Sequence, residues 1–297
     1  MLFGVVAAPI AVAIVLVGGA ALAAMLAVMA ALGAWELFRI ARTGGLDPMD
    51  NLGIVLAAIL PLVVHARFLQ IYSPDHSIGM LSLASIVLLV VLAAGIWTRG
   101  PMRKPLSSVA VTVFGVAYTG GMLSYGYAIR YHPYALAGDA SFSINGWQLA
   151  TLGGGFLLLL PLLLTWASDI GAYVVGRTFG RHKLIPSVSP GKTVEGAIGG
   201  LLASVFVAWL YTRGVLQPVD HLSFKAAPWG AIAFGVLTSI AAQVGDLAES
   251  LLKREAGVKD SSHLIPGHGG ILDRFDSLLF VMPVSYVLLG WWLTWAP

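Results

Sequence analysis

Two stretches of this sequence place lone polar groups beside long apolar runs. In Thr165-Trp166-Ala167-Ser168-Asp169-Ile170-Gly171-Ala172-Tyr173 a carboxylate interrupts an otherwise apolar segment. A charged side chain deep in a bilayer costs about 2.5 kcal/mol or more, so Asp169 needs a partner. Hydration at a helix end or pairing with Arg177 would supply one, as would a functional cation. In Ser187-Val188-Ser189-Pro190-Gly191-Lys192-Thr193, Ser189 suits an N-cap and Pro190 the first helical position. Such an end turns free N–H groups and a positive dipole toward an anion. Lys192 and the Thr193 hydroxyl would converge on that anion, with Arg177, Arg181 and Lys183 adding positive field. An ordinary cap beside basic anchors is the plainer alternative.

Gly191-Lys192-Thr193 ends like a Walker loop, but Pro186 stands where that loop needs glycine and no strand is expected before it, so a P-loop is excluded. The third stretch, Gln243 to Asp276, is the longest polar one. Helical spacing puts Asp246, Glu249, Ser250 and Lys253 on one face, as in an amphipathic surface helix. After Lys259 and Asp260 comes Ile265-Pro266-Gly267-His268-Gly269-Gly270-Ile271-Leu272-Asp273-Arg274-Phe275-Asp276. Its glycines let backbone approach a phosphate, and Asp273 and Asp276 at i, i+3 share a helical face. Like charges so placed repel unless a cation holds them. Carboxylate oxygens are hard ligands, so Mg²⁺ is the expected ion. His268 could bind phosphate or support the turn. Glu36, His65 and His132 stand singly near span ends and read as satisfied polar residues.

The elements that position these groups must be membrane helices. Of 297 residues, 58% are hydrophobic and 10% charged, whereas soluble domains carry about a quarter charged residues. Continuous apolar runs exclude a β-barrel as well. With no cysteine, disulfides, zinc thiolates and thiol nucleophiles drop out. Leu2–Trp35 exceeds the ~20 residues of one span, and Gly18-Gly19 offers a turn that would divide it in two; a single tilted helix is the rival. Further spans are predicted at about 51–66, 78–97, 106–128, 147–176, 194–212, 227–244 and 277–296, nine in all. With nine spans, Arg39, Arg42, Arg99, Arg103, Lys104, Arg177, Arg181, Lys183, Lys192, Lys253, Arg254, Lys259 and Arg274 share one side. Arg67, Arg130, Arg213 and Lys225 share the other. Thirteen against four puts the first set, the N-terminus and all three stretches in the cytoplasm, with the C-terminus outside. The net charge of +3 is therefore topological, and nucleic acid is the weaker reading. The expectation is an all-α polytopic membrane protein of about nine spans plus a cytoplasmic amphipathic helix and Gly-rich loop. Residues 1–145 form its scaffold and 146–297 its chemical region.

The run Ser250-Leu251-Leu252-Lys253-Arg254, then Lys259-Asp260, then His268-Gly269-Gly270-Ile271-Leu272-Asp273-Arg274-Phe275-Asp276 resembles the signature of the phosphatidate cytidylyltransferases, or CDP-diacylglycerol synthases. The Ser168–Tyr173 and Ser189–Thr193 segments resemble the same family; Val194 departs from it, since relatives often carry an aromatic residue there. The resemblance implies a homodimeric, multi-pass enzyme of the bacterial inner (plasma) membrane. Such an enzyme joins CTP to phosphatidic acid, releases pyrophosphate and makes CDP-diacylglycerol. It implies Asp246, Lys253, Asp273, Arg274 and Asp276 as the reaction centre. Asp246, Asp273 and Asp276 would hold Mg²⁺, with room for a second cation. Asp169, Arg177, Ser189, Lys192, Thr193, Lys259, His268, Gly269 and Gly270 would bind substrate. The rivals are a polyprenol kinase or CDP-archaeol-type synthase, and a transporter whose pathway Asp169 marks.

Overall fold

Gly18 and Gly19 adopt φ of 69° and 56°, backbone that side chains rarely take, and the first apolar stretch accordingly folds as two helices. These are α1 (Leu2–Val17) and α2 (Gly19–Thr43). The computed structural model describes residues 2–68, 80–100, 104–133, 142–144, 147–149, 152–264 and 269–295. Next come α3 (Asp50–Phe68), α4 (Met80–Thr98), α5 (Pro105–Val116) and α6 (Met122–Arg130), the last two joined by a π-turn at Ala117–Gly121. A β1–β2 hairpin (Phe142–Ile144, Trp147–Leu149) precedes α7 (Leu152–Phe179). A second hairpin, β3–β4 (Lys183–Ile185, Ser189–Thr193), leads into α8 (Val194–Tyr211). The short α9 (Gln217–Asp220), β5 (Leu222–Phe224), α10 (Trp229–Glu255), α11 (Leu272–Trp292) and β6 (Leu293–Trp295) complete the order.

Seven of the described helices are long and apolar enough to cross a membrane: Gly19–Thr43, Asp50–Phe68, Pro105–Arg130, Gly153–Phe179, Val194–Leu216, Trp229–Glu255 and Leu272–Trp292. Ala8–Val17 and Ser82–Thr98 are shorter apolar helices at two of the other expected spans. The amphipathic helix expected at 246–254 is not a separate element, because α10 runs unbroken through it to Glu255. No proline or helix-breaking turn separates the apolar part of α10 from its charged end. The span expected from 147 begins as β2 and becomes helical only at Leu152. The last helix starts earlier than expected, and its tail leaves as β6 to pair antiparallel with β5, Leu222 opposite Trp295.

By packing, the chain divides into two compact units. The first comprises Met1–Leu22, Tyr125–Ala248 and Asp276–Pro297; the second comprises Ala23–Ser124 and Glu249–Phe275. The expected division at 145 concerned roles, and these units concern packing. In the first unit α7 and α8 lie close because Gly171 faces the Gly199 carbonyl and Gly199 faces Val175, leaving no room for a side chain at either glycine. Polar side chains link the same layer. The Ser168 and Ser239 hydroxyls are 2.7 Å apart, and Gln243 donates to the Ala197 carbonyl at 3.1 Å. In the second unit Phe38 is fully buried against Gly53 of α3 and Gly115 of α5.

Arg130, assigned by sequence to an outer loop, is instead wholly buried in the first unit. Its guanidinium donates to Val15 O at 3.0 Å and Leu16 O at 2.9 Å, carbonyls in the last turn of α1 that the helix itself leaves open. The Tyr131 hydroxyl accepts the Gly19 N–H at 2.6 Å, fixing the turn that follows. Arg130→Met keeps apolar bulk but strands these carbonyls, and should cost about 1–3 kcal/mol. Thermal unfolding in detergent checks this; an unchanged midpoint would show that α1 is held by apolar packing alone.

Candidate active site

In the first unit the β3–β4 hairpin carries Lys192 between α7 and α8. The expected cap is corrected here: Ser189 and Pro190 lie in strand β4, and the N-cap of α8 is Thr193, with extended backbone at φ −126°, ψ 155°. Its hydroxyl accepts the Gly196 N–H at 3.1 Å, so the cap forms four residues later than expected. An extended Ser189–Thr193 segment satisfies its backbone against β3, which removes the need for a helix start at Ser189. The strand β3 also stands where none was expected, although Pro186 still excludes a P-loop. Glu195 locks the hairpin base. It accepts the Arg181 N–H at 3.1 Å and the His182 N–H at 3.2 Å, and pairs with His182 Nδ1 at 2.6 Å.

Lys192 Nζ lies 2.7 Å from Asp246 Oδ2, both side chains partly exposed. Asp169 is exposed on α7 and lies within electrostatic reach of Asp246, Asp276 and Lys192. Three carboxylates and one ammonium therefore share this rim. Arg177 donates to the Tyr173 hydroxyl at 2.6 Å instead of pairing with Asp169.

The second unit holds a separate polar cluster. Lys253 Nζ lies 2.6 Å from Asp273 Oδ1 and 3.3 Å from Glu249 Oε1. Asp273 also accepts the Gly270 N–H at 2.7 Å, the Ser261 N–H at 3.0 Å and the Ser261 hydroxyl at 2.8 Å. Gly269 has φ 78°, and a side chain there would meet the Asp273 carboxylate. One at Gly270 would run into Ser261 Oγ and the Glu36 carboxylate. Both glycines are thus required by contact. Lys259 and Arg274 are exposed, and His268 lies outside the described residues.

The helical i, i+3 placement of Asp273 and Asp276 does not hold. Phe275 leaves helical backbone at φ −132°, ψ 16°, which breaks the regular spacing between them. Nor does a cation have to relieve Asp273, since Lys253 already does. Among the described residues no three His, Asp or Glu side chains converge to hold a metal ion unaided. The oxygen donors of Asp169, Asp246 and Asp276 nevertheless suit Mg²⁺, which commonly takes one or two carboxylates and fills its shell with water and substrate phosphate.

Sequence reasoning missed the roles of Glu36, Ser261, Ser262 and Glu195. Glu36 did leave a signal: it is the first charged residue in the chain, and so lone an acid must be met by something.

Residues 1–292 match the cytidylyltransferase family. The phosphatidate cytidylyltransferase of Staphylococcus saprophyticus subsp. saprophyticus is 34% identical over 235 residues, covering 75% of this chain and 81% of that protein. That of Staphylococcus haemolyticus is 36% identical over 220 residues, covering 70% and 77%. That of Staphylococcus aureus is 33% identical over 258 residues, covering 83% and 91%.

If the Thr193 hydroxyl serves as the cap of α8, Thr193→Val should lose about 1 kcal/mol of stability and Thr193→Ser almost none. Thermal unfolding of the two variants in detergent measures the difference; equal midpoints would leave the hydroxyl free for a ligand.

Proposed function

The chain belongs to the cytidylyltransferase family, and on that premise we propose that it joins CTP to phosphatidic acid in a membrane, releasing pyrophosphate and forming CDP-diacylglycerol. The observation that carries this reading is the Lys192–Asp246 pair at 2.7 Å, with Asp169 within electrostatic reach of Lys192, Asp246 and Asp276. The reaction asks for positioning and charge neutralisation more than for covalent chemistry. A phosphate monoester has a second pKa of about 6, so its attacking oxygen is already largely ionised at neutral pH. Neither a protein nucleophile nor a strong base is needed.

In this reading a phosphatidate oxygen attacks the α-phosphorus of CTP and the bond to the β-phosphate oxygen breaks. Lys192, Lys253 and Arg274 contact phosphate oxygens, and Arg177 at the exposed end of α7 meets the lipid headgroup. Ser189 and Thr193 in the first unit, and Lys259, Gly269 and Gly270 in the second, are assigned to substrate binding, as is His268, which lies outside the described residues. Asp246 would hold Mg²⁺ with Asp276 and Asp169; Asp273, the other ligand the signature implies, would have to release one of its present donors to bind an ion. Bound Mg²⁺ would supply positive charge to the departing pyrophosphate, and a second cation held by the same carboxylates would add to it. The lipid enters sideways from the cytoplasmic leaflet, its tails staying among the helices. The homodimer implied by the signature, the cytoplasmic N-terminus and the outer C-terminus belong to the same reading, the last two supported by the thirteen-to-four distribution of basic residues.

Purified protein given labelled CTP and phosphatidic acid should form labelled CDP-diacylglycerol only when Mg²⁺ is present; transfer of phosphate alone would mark a kinase instead. Lys192→Ala and Asp273→Asn should each lower turnover on the order of a hundredfold while the protein stays folded. Asp273→Asn should also raise the Mg²⁺ requirement if Asp273 reaches the ion. Wild-type turnover at every substrate concentration would remove the substituted residue from the site.

Because the chain has no cysteine, single cysteines placed beside Lys192 and Lys259 can report sidedness directly. They should resist a membrane-impermeant thiol reagent added to intact cells and react once the membrane is opened. Efficient labelling from outside would invert the topology.

A further inference from the structure

Glu36 is fully buried on α2, and neither its position nor any motif assigned it a role. Its carboxylate accepts hydrogen bonds from the Ser261 hydroxyl at 2.9 Å, the Ser262 hydroxyl, the Ile271 N–H at 2.9 Å and the Leu272 N–H at 2.6 Å. Two of these donors precede Gly269 and Gly270 in the chain and two follow them. The Ile271 and Leu272 N–H groups belong to the start of α11, where a helix has no internal acceptor, so Glu36 acts as a cap from another helix. Asp273 gathers the same two ends through Ser261 and Gly270. The Ser261 hydroxyl lies between both carboxylates and has one proton to give, which couples their positions. Gly270 has no space for a side chain because the Glu36 carboxylate and Ser261 Oγ occupy it.

An apolar residue at position 36 would suit the surrounding helix better, since a buried carboxylate carries a large desolvation cost. What the carboxylate adds is a fixed register between Ser261 and Leu272, the same two ends that Asp273, the partner of Lys253, ties together. We propose that Glu36 is a positioning residue for cytidylyl transfer, acting through Ser261, Ser262 and the first turn of α11 on Asp273 and Lys253. The inference rests on the reading above, in which those two residues serve the reaction.

Glu36→Gln keeps the size but turns one oxygen into an NH₂ that cannot accept, so either the Ile271 or the Leu272 N–H at the start of α11 loses its acceptor. Full-length protein in detergent should be compared as wild type, Glu36→Gln, Asp273→Asn and the double variant. Labelled-CTP binding, kcat/KM and thermal midpoint are measured for each. Glu36→Gln should weaken CTP binding about tenfold and lower kcat/KM on the order of a hundredfold, the scale on which a displacement of about 1 Å acts. The double variant should fall little below Asp273→Asn alone, because Glu36 acts through the residue already removed. Wild-type catalysis in Glu36→Gln overturns the proposal, as do losses that multiply in full, which would mark a general structural role. Wild-type turnover in Asp273→Asn removes the reading of Asp273, and the proposed route with it. Should Glu36→Gln not fold, Ser262→Ala deletes only one donor. About a tenfold loss with the same failure to multiply supports the proposal, and unaltered catalysis overturns it.

Discussion

A carboxylate placed among membrane helices has to be met by donors, because lipid offers none. The polar architecture of this chain follows from that constraint. Asp246 is met by Lys192, Asp273 by Lys253 with two backbone N–H groups, and Glu36 by two serines and the start of a helix. Each pairing joins segments that no local rule would bring together. Each also turns a group expensive to bury into one that fixes geometry, since a carboxylate with several directed donors can occupy only one place.

Small residues make such pairings reachable. In the first unit the glycines of α7 and α8 allow close backbone approach, and the hairpin ending at Thr193 delivers Lys192 at one end of that layer. In the second unit Gly269 and Gly270 do for a loop what those glycines do for helices, leaving room for Asp273 and Glu36. The charged side chains and the missing side chains form one arrangement: where a carboxylate must reach backbone N–H groups, the neighbouring position has to be empty.

Hydropathy made most of the fold legible, because a span is a local property of some twenty residues. The paired glycines at Gly18 and Gly19 likewise announced their turn. What failed were inferences that extended a regular element through its end. Asp273 and Asp276 were read as helical neighbours because nothing in the sequence shows Phe275 leaving helical backbone. Ser189 was read as a cap because Ser-Pro is a strong local signal, yet Thr193 four residues on takes that role once Ser189–Thr193 pairs as a strand. Glu36 was read correctly as a satisfied polar residue, but its partners were beyond sequence reasoning because they are tertiary.

The sequence separation of that contact sets an order of assembly. Ser261 lies 225 residues after Glu36. At synthesis rates of about 5–20 residues per second, α2 would exist for roughly ten to forty-five seconds before its serine partners are made. Throughout that interval the carboxylate must be kept near water or borrow donors from other helices, so the second unit cannot close until the last part of the chain arrives. A protein cut short before Ser261 would therefore carry an unmatched acid in its membrane-embedded half.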